Sequence, residues 1–289
     1  MKGISKYIWI CSLAVALGSC YADEELNEPV KGTEITIDSE LDQYIQENFT
    51  EKWNMAIRYR FVDNFVDPGE RVGPPSVENV RPMLDFIEEF WINPYLEIEN
   101  GEEFFANHVP PEIVFLGGLI FNANGTVTLG TADAGAQITF TNVNAIDPSN
   151  EEWRDLQLRT VYHEFAHTVH QRYKLPNAFE AIAPAGYTGP GSWFILTDNQ
   201  ALTRGFVTPY STSSPDEDFA ETVAFFLFDP AFSDKFINTD PDCVSDDCIN
   251  DNEGKVLIST KVSSISDHYE KVTGVSLLSL RDAVQRRMQ

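Results

Sequence analysis

Histidine, cysteine, methionine and basic residues are all scarce in this chain of 289 residues: five His, four Cys, four Met, and 20 Lys+Arg against 45 Asp+Glu. The shortages of basic residues and of cysteine each exclude something. A formal net charge of −25 repels phosphate backbones, so nucleic acid is no partner. The longest apolar run, Tyr7 to Leu17 (YIWICSLAVAL), falls well short of the roughly 20 residues that a membrane-spanning helix needs. Four cysteines cannot staple a chain of this length, so it must be held by a hydrophobic core. That core is affordable in composition: 43% hydrophobic, 12% aromatic and 22% charged residues are the proportions of a globular protein.

Where charge and apolarity do cluster, at the start, they read as a targeting segment. Lys2 and Lys6 precede the apolar run, the order of a signal peptide. The run ends in "LGSC", Leu17 to Cys20, which resembles the bacterial lipobox; ordinary cleavage after Ala22 is the alternative. The lipobox resemblance implies that residues 1–19 are removed and that Cys20 is lipidated. The acidic Asp23, Glu24 and Glu25 resemble the surface-export signal of Bacteroidota-type lipoproteins. Together these imply an exported lipoprotein of the outer membrane, at the cell surface and held in the membrane by its lipid anchor alone. Residues 20–32 form a tether and 33–289 one domain.

Of the remaining cysteines, Cys243 and Cys248 stand five apart in "CVSDDC". In an exported protein such a pair reads as a local disulfide, since no further soft ligands lie nearby for zinc. The acids around it, across a loop over residues 240–254, lack EF-hand spacing and read as solvated rather than calcium-binding.

Local spacing divides the chain into a mixed first half and a helical second half. "SELDQYIQENF" (Ser39–Phe49) has a capping serine and helical apolar spacing. "MAIRYRFV" (Met55–Val62) alternates like a strand, and Val77–Leu96 has the spacing of a long helix with Pro82 in its first turns. "EIVFLGG" is a buried-type strand, "NGT" at Asn124–Thr126 a turn, and "AQITFTN" (Ala136–Asn142) alternates again. Ser149 and Glu152 form a candidate capping box for a helix running to about Tyr173. A Gly/Pro-rich loop, the helix "DEDFAETVAFFLF" and two last helices split by Gly274 complete the chain. The expected fold is α+β: a small twisted sheet packed on the 149–173 helix within an α/β lobe (33–173), then a mainly helical lobe (174–289).

That helix carries "HEFAHTVHQ" (His163–Gln171). Residues four apart share a helix face, so His163 and His167 can hold one ion between them. Glu164 beside them can take a proton from a water that the metal polarises. This is the HExxH pattern of zinc peptidases. The bland alternative, a helix packed through Val161, Phe165, Ala166 and Val169 with histidines at the surface, needs no metal. His170 lies a further turn along, too far to be a third ligand. A third ligand must come from elsewhere, and "EDFAE" offers Glu217 and Glu221, four apart on one face. A solvated acidic helix start (Asp216, Glu217, Asp218) would explain Glu217. It does not explain Glu221, set among apolar residues, where an unpaired carboxylate is costly to bury.

"HEFAH", "GFVTPYSTSSPDEDFAE" and "SLLSLRDAVQRR", with "YIQENFTEKWNMAIRYRF" near the start, resemble the zinc metallohydrolase lipoproteins that accompany SusC/SusD-type import systems, peptidases of gluzincin type. The local pattern is also similar to the catalytic domain of anthrax lethal factor. The resemblance implies a zincin-like fold and one Zn2+ per chain, held by His163, His167 and Glu217. It makes Glu164 the general base, Glu221 the carboxylate that orients a ligand histidine, and Tyr210 a donor to the developing oxyanion. It departs from the pattern in having Asp218 after the ligand glutamate, a change expected to be immaterial. The implied activity is cleavage of a peptide or protein substrate in support of nutrient import, with a TonB-dependent SusC/SusD-like complex as partner. A zinc hydrolase of another amide or ester, and a silent metal-stabilised binding module, are the alternatives.

Overall fold

In the computed structural model, residues 39–60, 72–121, 127–128 and 136–289 are described. The signal, lipobox, tether, the "NGT" turn and part of the expected strand before Val62 lie outside them.

Ser39 caps the first helix by accepting from the Asp42 amide at 3.1 Å. Helix α1 runs over Glu40–Ile45 and continues through a π-helical turn, Gln46–Thr50, into Glu51–Trp53. Strand β1 follows but covers only Ala56–Arg58, shorter than its alternation predicted. Asp42, buried on α1, accepts from the Tyr59 hydroxyl and the Arg60 guanidinium, each at 2.7 Å. These bonds take the chain out of the strand and tie it to α1.

Helix α2 (Val77–Ile87, extended by π-helical Glu88–Ile92 and by Asn93–Leu96) matches its expected span. Pro82 sits inside it; the carbonyl this leaves free belongs to exposed Glu78. Helix α3 (Gly101–His108) was not expected. Its paired phenylalanines, Phe104 and Phe105, are buried, but eight residues carry too little periodicity to announce a helix.

Strand β2 (Glu112–Phe115) pairs in parallel with β1, and β5 (Gln137–Phe140) in parallel with β2, giving the order β1-β2-β5. Between them β3 (Ile120–Phe121) and β4 (Val127–Thr128) pair antiparallel. The alternation seen in "AQITFTN" does not mark a wet face. Ile138, Thr139, Phe140 and Thr141 are all buried, because a parallel sheet is covered on both sides.

Helix α4 (Glu151–Tyr173) carries the histidines. Its cap is Asn150, whose side chain accepts from the Trp153 amide at 3.1 Å, and the Ser149–Glu152 box does not form. The Ser149 hydroxyl is taken by Asp147 at 2.6 Å, leaving the next residue to cap. One face of α4 is anchored in aromatic side chains. Trp91, Tyr95, Phe104 and Phe105 all stand within 5.8 Å of the Phe165 ring.

The second half is helical. It contains α5 (Asp198–Leu202), α6 (Pro215–Phe228), α7 (Phe232–Phe236), α8 (Asp246–Thr273) and α9 (Leu277–Arg287). The expected acidic loop over 240–254 is helical from Asp246 onward. Ser245 caps α8, and Asp246 and Asp247 fill its first turn, where carboxylates suit the helix dipole. Cys243 and Cys248 are joined by a disulfide across that helix start. The buried stripe of α8 is Gly254, Ile258, Lys261, Ile265 and Tyr269. Gly254 must be glycine, since a Cβ there would lie 1.9 Å from the Leu202 carbonyl oxygen. Gly274 caps α8 at φ +74°, a conformation glycine adopts freely. Helices α4 and α6 share the most extensive contact of any two elements, so residues 39–289 form one compact unit. Among the described residues no helix is long and apolar enough to cross a membrane.

Candidate metal centre

Helix periodicity puts His163 and His167 one above the other on α4, their Nε2 atoms 3.0 Å apart. Helix α6 brings the third group. Ser214 caps it by accepting from the Glu217 amide at 3.2 Å, and Pro215 starts it, so Glu217 falls in the first turn. Its Oε2 lies 3.1 Å from Nε2 of His163 and 3.4 Å from Nε2 of His167. A tetrahedral zinc about 2.0–2.2 Å from each ligand separates the ligand atoms by about 3.3–3.5 Å. The triangle therefore has very nearly the size of a zinc site.

The hydrogen-bond directions say what the triangle wants. His163 Nδ1 faces Glu221 Oε1 at 2.9 Å and His167 Nδ1 faces His170 Nε2 at 2.6 Å. With the protons on those outer nitrogens, both Nε2 lone pairs point inward. Glu217 Oε2 joins them, buried and without a hydrogen bond of its own. Three converging acceptors need a cation. A proton is the alternative source of charge: burial disfavours it on His163, but Glu217 and Glu221 prevail and push that histidine up to about 10. Glu217 itself is held far below the ordinary carboxylate range; burial works against this, and the two histidines outweigh it.

Glu164 is the competing carboxylate, since one of its oxygens and the two histidines lie within 4.8 Å of one another. The orphaned oxygen of Glu217, 3.1 and 3.4 Å from the two Nε2 atoms, makes it the other candidate for third ligand. Glu164 has its carboxyl pushed up, mainly by burial and further by the charges of Glu217 and Glu221. A carboxylate so placed is a better base than an exposed one.

Glu221 is 1% exposed and fully occupied. Arg159 grips both of its oxygens, at 3.0 and 2.7 Å. Thr208 donates to Oε2 at 2.6 Å. Burial would raise its pKa, but Arg159 and His163 hold it at about 2, so it stays ionised. Tyr210 opens a short 3-10 turn, Tyr210–Thr212, just ahead of α6. Its ring stands 5.9 Å from that of His163 and 5.0 Å from that of Trp193. Burial and the Glu217 carboxylate push its hydroxyl up, so it remains a proton-bearing donor.

The structure thus brings His163, Glu164, His167, Tyr210, Glu217 and Glu221 together; Cys243 and Cys248 stand apart at the start of α8, and Cys20 lies outside the described residues. Several partners were not foreseen. Arg159 had a signal, being four residues before His163 on the same face. Thr208 had none. Asp218, a departure from the family pattern that was expected to be immaterial, is fully buried. It pairs with equally buried Lys261 at 2.7 Å and accepts from the Tyr187 hydroxyl at 2.8 Å. The lysine stands out as the one charge once the buried stripe of α8 is known.

His163, Glu164 and His167 form a group that could hold a metal ion, and Glu217 of the neighbouring helix faces both histidines. The chain belongs to the family described as "putative zinc-binding metallo-peptidase", whose sequence profile matches residues 34–277. It is also similar to a solved structure described as "a putative zinc-binding metallo-peptidase from Bacteroides caccae". Identity is 26%, the TM-score is 0.68, and the match covers 86% of this chain and 90% of that one. No curated protein matches the chain.

Proposed function

We propose that the protein is a zinc-dependent peptidase of HExxH, gluzincin type, with one ion held by His163, His167 and Glu217. The observation that carries this is the buried Glu217 oxygen facing Nε2 of both histidines, at 3.1 and 3.4 Å. Zinc, when bound, supplies the positive charge that polarises a carbonyl and makes a water more acidic. Glu164 takes the proton of the attacking water and hands it to the leaving amine. Tyr210 donates its hydroxyl proton as a hydrogen bond to the oxygen on which charge develops. Glu221 fixes the His163 ring through Nδ1, and Arg159 and Thr208 fix Glu221 in turn. Strand β5, last in the sheet among the described residues, is where an extended peptide would add as a further strand.

Metal content of the purified protein, followed by a peptide-library screen, tests this reading. The expected result is one zinc per chain, cleavage of some peptides, and loss of cleavage with zinc retained in Glu164→Gln. A protein that takes up zinc stoichiometrically and cleaves no peptide would overturn the peptidase reading and leave a hydrolase of another amide or ester, or the binding module.

The proposed setting is the outer surface of the outer membrane, through lipid on Cys20, in support of a TonB-dependent SusC/SusD-like importer. "LGSC" and the acids after it are the support. Two or more acyl chains give stable membrane residence. Mass spectrometry of the mature N-terminus should find acylated Cys20; an unmodified start at Asp23 would refute the anchor.

A further inference from the structure

Beside the metal centre, on the side of Tyr210, opens a cavity of about 680 Å³. Arg159 and Tyr210 line it; the Tyr210 ring also stands 5.9 Å from that of His163 and Arg159 holds the Glu221 behind that histidine, so the cavity adjoins the centre. Its size falls within the roughly 300–1,000 Å³ of sites that enclose a small organic group. The remaining wall is largely apolar, formed by Trp193, Leu202, Val207, Phe225 and Phe236. At the edge of this wall, next to Trp193, Phe194 and Ile195 are 48% and 72% exposed.

Of the charges in the lining, three are already paired. Arg159 is bound by both oxygens of Glu221 and lies over the Phe225 ring at 5.4 Å. Asp229 holds Lys235 at 2.8 Å. The other acid of the lining, Asp198, is exposed at the start of α5. An anionic side chain entering here would lose water and gain no free counter-charge, and a cationic one would meet only Asp198, already solvated at the rim. An aromatic or long aliphatic one would gain apolar burial and aromatic edges.

We infer that this cavity is the specificity pocket of the site and that it takes a large apolar or aromatic side chain flanking the bond to be cut. The inference rests on the peptidase reading for its occupant, but on the cavity alone for its chemistry. It assigns selectivity to Leu202 and Phe236, which touch none of the proposed zinc ligands.

A series of simple carboxylic hydroxamates with methyl, isobutyl, benzyl and naphthylmethyl side chains separates the two. Each binds zinc through the same head group, so affinity differences report the side chain. Binding to the zinc-loaded protein, measured by calorimetry, should favour benzyl over methyl by about 10- to 100-fold, as burial of a ring predicts. Leu202→Trp, which narrows the cavity, should erase that preference while leaving the methyl compound bound as before. Phe236→Ala should shift the preference toward naphthylmethyl. Equal affinity across the series, or a preference that neither substitution moves, would overturn the inference. A graded series in a protein that cleaves no peptide would uphold the pocket and sink the peptidase reading. Peptide cleavage with no preference for apolar or aromatic neighbours would do the reverse.

Discussion

Glu221 holds His163 from behind: its Oε1 accepts from the histidine Nδ1 at 2.9 Å, so the opposite nitrogen must face Glu217. Replacing Glu221 by glutamine keeps the shape but removes the charge. Zinc affinity should fall by about 10- to 100-fold, the usual effect of losing such an outer carboxylate. Competition against a zinc chelator measures it; unchanged affinity would mean that Glu221 serves only Arg159.

Glu217→Ala should lose zinc altogether, because two histidines hold it poorly. The same loss has a stability readout. Zinc at a thousand times its dissociation constant adds about 4 kcal/mol to the parent, seen as a rise in the urea midpoint. In Glu217→Ala that rise should vanish. A variant that still took up one zinc per chain would place the third ligand elsewhere, with Glu164 the first candidate.

Tyr210→Phe should keep zinc and lose turnover. The hydroxyl acts only where charge develops, so kcat should drop by about 10²–10³ with little change in KM. Activity equal to the parent would remove Tyr210 from the chemistry and leave the metal centre standing.

Lys261→Met strips the counter-charge from Asp218, whose carboxylate is fully buried next to Glu217. Breaking a buried pair on one side costs about 3–5 kcal/mol, to be read from urea unfolding. Adding Asp218→Asn should recover part of the loss, since the uncompensated charge is then gone. If the single variant were as stable as the parent, the pair would have no structural weight.

Spacing along the chain sufficed for whatever a single helix decides. His163 and His167 share a face by arithmetic, and α1, α2, α4 and α6 lie close to where caps and apolar stripes put them. Local rivalry moved the details: Asp147 took Ser149 and shifted the cap of α4 by one residue. Burial on both faces hid the meaning of the alternation in β5. What crosses between helices was harder to see. The pairing of Glu221 with Arg159 spans 62 positions, and that of Asp218 with Lys261 joins α6 to α8. Only the oddity of an acid in "AETVAFFLF" marked one of them beforehand; Lys261 stands out only once the buried stripe of α8 is known.

The two-pronged grip of Arg159 on Glu221 joins the histidine helix to the helix that bears Glu217, with no ion involved. If His163, His167 and Glu217 are the ligands, their alignment comes from the same packing that aligns the core. Metal capture then requires little ordering, unlike in small zinc domains, where binding and folding are one event. Stripped of metal, the chain should keep its helical circular dichroism and regain its ion quickly. Its dependence on zinc would thus be a matter of chemistry and affinity, with the architecture already in place.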